Sequence, residues 1–74
     1  MVNTREDLRI AIQTKLCEVT YAVHEVSVRH SLPADIEIEI GADVMHHAIM
    51  LVDFAMKILP LGCAVRVVER KAHD

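Results

Sequence analysis

The residues best suited to do chemistry in this chain are Asp43, His46 and His47. On a helix, a carboxylate and an imidazole four residues apart converge and can chelate a cation, and Asp43 and His47 have that spacing. One chain supplies too few further ligands to close such a site. The metal reading is therefore the alternative one, a metal-binding dimer using His46, His47 and Asp43, and no metal ligand or cofactor is assigned. Cys17 and His24 lie two helical turns apart, too far to chelate together. The chain has no Cys-x-x-Cys and no His-Glu-x-x-His.

Nucleophilic catalysis has Cys17, Cys63, Ser27 and Ser31 as candidates. A nucleophile needs a base within reach and a third group to orient that base, and no spacing in the chain identifies such a set. Glu37 and Glu39 share one strand face, as acid/base pairs sometimes do, but Arg66 and Arg70 on a neighbouring strand make them a solvated cross-strand charge set instead. With only Gly41 and Gly62, there is no glycine-rich phosphate loop. At 74 residues an enclosed pocket has little room except between subunits. No catalytic residue is assigned, and an enzyme with its site between copies is the third reading.

These side chains depend on elements that the hydrophobic pattern locates. No Gly or Pro occurs between residues 4 and 30, which reads as one long helix of about 40 Å. Asn3 or Thr4 is its N-cap, and Glu6 and Asp7 suit the positive end of the helix dipole. Leu8, Ile12, Leu16, Val19, Val23 and Val26 form one stripe on it; Ile10, Cys17, Tyr21 and Val28 form a second on the opposite side. One stripe packs on the rest of the chain and the other needs a partner. β-Branched residues over 19–28 favour extended backbone, the competing reading of that stretch. The helix stops before Pro33, with residues 30–34 as the connection.

Residues 35–40 alternate Asp, Ile, Glu, Ile, Glu, Ile, the signature of a strand with one buried face. Residues 42–59 read as a second helix stopped by Pro60 and Gly62, and residues 63–70 as a second strand with Val65 and Val67 facing the core. Residues 71–74 form a tail. The fold class is α+β, in the order α-β-α-β, as a single domain of residues 1–74. Its strand–helix–strand part is a right-handed crossover with two parallel strands. Two strands make a poor sheet, so dimerisation is expected to complete it. On the second helix Met50 and Phe54 sit among polar neighbours like an interface patch.

Composition narrows the function classes. Hydrophobic residues are 53% of the chain and aromatics 3%, so the core is aliphatic and the chain is not disordered. A net charge of -3 and an isoelectric point near 5.9 argue against nucleic acid as a partner. The apolar run at residues 48–56 is cut by Asp53 and too short to span a bilayer, and the polar, acidic start is unlike a signal peptide. Two cysteines do not make a disulfide scaffold, and the expected location is cytoplasmic. The leading function is a small non-enzymatic protein that acts by protein–protein binding, as an adaptor, a regulator or an inhibitor of a larger complex, the phage-type inhibitors being the analogy of size and charge. Its expected partners are itself, as a homodimer, and a second protein. The expected interface residues are Ile10, Cys17, Tyr21, Val28, Met50 and Phe54.

Overall fold

A computed structural model of the chain describes residues 2, 4–29 and 35–71. The first helix, α1, spans Arg5–Thr20. Thr4 caps it: the Asp7 N–H donates to the Thr4 hydroxyl at 3.0 Å. Leu8, Ile12 and Leu16 form its buried stripe.

α1 does not run to residue 30. It ends at Tyr21, which adopts the left-handed conformation with φ 59° and ψ 29°, its N–H donating to the Cys17 carbonyl. The chain then turns back as a short strand, β1, at Ser27–Val28. The physical reason is a period-2 pattern hidden under the period-3.6 one. Val26 and Val28 are buried while Glu25 and Arg29 are exposed, and β-branched residues favour that pleated arrangement. Val23 and Val26 therefore do not continue the α1 stripe. Residues 30–34, the expected connection, lie outside the described residues, as do residues 72–74 of the tail.

The alternating segment forms β2 at Ile36–Ile40, with all three isoleucines buried. A 3₁₀ helix at Ala42–His47 follows, then α2 at Ala48–Ile58. Helix two of the sequence reading is thus two segments of different pitch. Gly62, at φ 93°, turns the chain into β3 at Val65–Glu69. The sheet has three strands in the order β1-β2-β3. β1 pairs antiparallel with β2, and β3 pairs parallel with β2, Ile38 lying beside Val67. The third strand corrects the two-stranded expectation; β2 is central and needs no second copy to be covered.

One face of the sheet carries both helices. α1 packs on β1 and against α2, and α2 packs on β3. Leu8, Ile12, Leu16, Ile36, Ile38, Ile40 and Leu51 are fully buried between the layers. At about 25 cal/mol per Å² of apolar surface removed from water, each such side chain contributes about 1.5–3 kcal/mol. No helix among the described residues is long and apolar enough to cross a membrane.

Candidate functional site

The second apolar stripe survives in part, on the outer face of α1. Ile10 is exposed and Cys17 is half-buried there, seven residues apart and therefore on one face. Val23, 79% exposed, folds back onto that face from the segment after the helix. With Gln13, Thr14 and Glu18 these residues line an open groove of about 320 Å³. Side-chain bonds hold the returning segment on this face: the Gln13 amide donates to the His24 backbone carbonyl at 2.9 Å, and Arg9 donates to the Gln13 side-chain oxygen at 2.7 Å. Tyr21 stands at the end of the groove-bearing helix with 93% of its surface exposed.

The other three expected interface residues lie elsewhere. Val28 is buried in β1 and belongs to the core; the helical reading had placed it on the outer stripe. Met50 and Phe54 are half-buried and packed against the core. The Lys15 ammonium of α1 sits 5.3 Å from the centroid of the Phe54 ring, so this aromatic lies at the seam between the helices. Val23, which completes the groove, was assigned to the opposite stripe. Only its place after a helix stop at residue 21 reveals its role.

Asp43 and His47 do not converge. They lie in the 3₁₀ helix, where three residues make a turn, so positions i and i+4 are rotated apart. The His46 and His47 rings lie beside each other, centroids 4.1 Å apart, and Asp43 turns instead toward His24, Oδ2 to Nδ1 3.8 Å. Among the described residues no group of three or more His, Cys, Asp and Glu side chains is placed to hold a metal ion.

The His24 contact creates an order the sequence did not display. Asp43 faces His24, and His24 Nε2 lies 3.0 Å from the Thr20 hydroxyl. Carboxylate, imidazole and hydroxyl in line are the parts of a nucleophile triad. Here, however, the Thr20 hydroxyl donates to the Leu16 carbonyl at 2.8 Å, and 3.8 Å is beyond hydrogen-bond length. Thr20 and His24 close the end of α1, and Asp43 of the 3₁₀ helix lies beside them.

The outer face of the sheet carries the expected charges and one more. Glu37 meets Arg66 at 2.6 Å, and Arg29 of the segment after β1 reaches both Glu37 at 3.2 Å and Glu39 at 2.8 Å. Its hydrogen bond to Glu39, then the charges of Glu39 and Glu37, raise the Arg29 pKa above its ordinary value. Arg70 lies near Glu39 at 3.9 Å and donates to the Glu25 carbonyl at 3.0 Å, crossing the sheet. The Glu37 side chain is only 15% exposed beneath these arginines, so the set is less solvated than its sequence implies. Both Glu37 and Glu39 lie within reach of two arginines each.

Comparison with protein-family models, with curated proteins and with solved structures finds no match for this chain.

Proposed function

We propose that this chain is a small, non-enzymatic binding protein of the cytoplasm that acts by protein–protein association, with the outer face of α1 as its contact surface. The observation that carries this reading is Tyr21. A residue with a Cβ in the left-handed region is strained, and helices commonly place glycine there. Tyr21 holds that conformation while burying almost none of its ring. The conformation caps α1 through the Cys17 carbonyl, but a glycine would do that without strain and the ring gains no burial from it; exposed tyrosines are frequent anchors at interfaces. Ile10, Cys17 and Val23 supply an apolar groove nearby, and the core closes without Ile10 or Val23.

Glu18, only loosely paired with Lys15 at 4.0 Å and 63% exposed, borders that groove, so the partner that fits is a protein with an apolar patch rimmed by lysine or arginine. Binding of this kind suits an adaptor, a regulator or an inhibitor of a larger complex. The test is affinity capture from cells that make the protein, with wild type compared against Ile10→Glu and Tyr21→Gly. One specific protein retained by wild type and lost by both folded variants supports the reading. Equal capture by all three removes it.

A further inference from the structure

A different surface, which shares no residue with the α1 groove, lies along β3. Its pairing with β2 occupies only one edge: the Ile36 N–H donates to the Ala64 carbonyl and the Arg70 N–H to the Ile40 carbonyl, each at 2.7 Å. A parallel ladder with these bonds uses the even-numbered residues of β3. The N–H and C=O groups of Val65, Val67 and Glu69 therefore point to the far side, where no strand lies among the described residues. An open five-residue edge is a template for another strand, whereas the edge at β1 offers two residues.

The helix above this edge is apolar on the same side. α2 packs on β3, and Phe54 marks the flank of α2 that meets α1. Ile49, Val52 and Met56 recur at three and four residues on the opposite flank, above the open edge. Ile49 is 86% and Met56 59% exposed, and Asp53 and Lys57 of the same helix pair with each other at 3.0 Å.

We propose that β3 pairs antiparallel with β3 of a second copy, with Val67 on the twofold axis, so that two three-stranded sheets become one of six strands. Strand overlap and charge together select this register: a twofold at residue 65 would set Val67 and Glu69 opposite residues outside the partner's β3. Hydrogen-bonded pairs must join outward-pointing residues, so Val67 meets the partner's Val67 and Val65 meets the partner's Glu69. On the open face Arg66 then lies opposite the partner's Val68, and Ala64 opposite the partner's Arg70. A shift of the twofold to residue 66 sets arginine opposite arginine, as does a shift to residue 68, and like charges directly opposed are unfavourable. The same twofold brings the Ile49, Val52 and Met56 flanks of the two α2 helices together, an isologous contact in which one apolar patch covers its own copy.

The test combines sedimentation with amide exchange on the whole protein, from micromolar to millimolar concentration. The account expects a dimer at the upper end and protection of the Val65, Val67 and Glu69 amides that grows with concentration. Val68→Lys, which opposes the partner's Arg66 twice by symmetry, should weaken the dimer about tenfold. Val68→Glu, which attracts the partner's Arg66 but lies beside Glu39 of its own β2, should weaken it less than Val68→Lys, and Tyr21→Glu should leave it unchanged. A mass of 8.3 kDa at every concentration overturns the proposal. So does a dimer whose three amides stay unprotected, and that wild-type measurement decides the matter even if a variant fails to fold. Equal weakening by Val68→Lys and Val68→Glu overturns the register. The α1 reading stands or falls separately, because none of these residues lines its groove.

Discussion

Replacing Tyr21 with glycine should make the protein more stable and a poorer binder. The left-handed conformation at φ 59° costs a residue with a Cβ about 1–2 kcal/mol, and glycine escapes that cost. Glycine's greater freedom in the unfolded chain takes back roughly 0.5–1 kcal/mol. The ring is 93% exposed, so its removal forfeits almost no burial. With both terms taken at the same end of their ranges, the net gain is about 0.5–1 kcal/mol. Unfolding entropy near 2.1 cal/mol/K per residue converts this to a rise in Tm of about 3–6 °C for a 74-residue domain. Differential scanning calorimetry reads that shift directly. Tyr21→Ala is the control: it deletes the same ring but keeps the Cβ, so its Tm should stay within about 2 °C of wild type. If Tyr21→Gly melts no higher than Tyr21→Ala, the backbone is not strained at this position and the argument from strain to function fails.

Two further outcomes follow from the packing. Glu37→Gln should cost about 1–2 kcal/mol in urea denaturation, more than an exposed pair, because its mostly covered carboxylate meets both Arg29 and Arg66; the loss should shrink as salt is raised, and a cost below about 0.3 kcal/mol would return this set to the status of solvated surface charges. Phe54→Ala should lower stability by about 1–3 kcal/mol, since the ring packs on the core under Lys15, and a variant of unchanged stability that lost association would place Phe54 in an interface instead.

The elements with a single period were legible in the sequence. Ile36, Ile38 and Ile40 alternate with acidic residues and form β2, and Thr4 with Asp7 forms the cap. Pro60 and Gly62 end the second helical stretch as their backbone preferences require. The stretch after Thr20 carries two periods at once: Val19, Val23 and Val26 fit a helix, while Val26 and Val28 fit a strand. Pairing with β2 decided between them, because it buries both valines and completes a sheet. No local signal carries that tertiary gain. Arg29 was missed among the sheet charges for the same reason, since its neighbours Glu37 and Glu39 come from the strand that β1 joins. The metal reading of Asp43 and His47 rested on α-helical pitch, and a 3₁₀ segment at that point separates them. Of the expected surface, Ile10 and Cys17 share the groove on the outer face of α1, Tyr21 stands just past the helix end, and Val23 reaches the groove only because the helix ends early.

The contact surface itself is the claim on which the functional reading depends. Once the captured partner is purified, it can be titrated into isotope-labelled protein while backbone amide shifts are followed. Perturbations are expected to concentrate at Ile10, Thr14, Cys17, Tyr21 and Val23. Perturbations confined to the charged outer face around Arg29, Glu37 and Arg66, with the α1 groove silent, would contradict that claim.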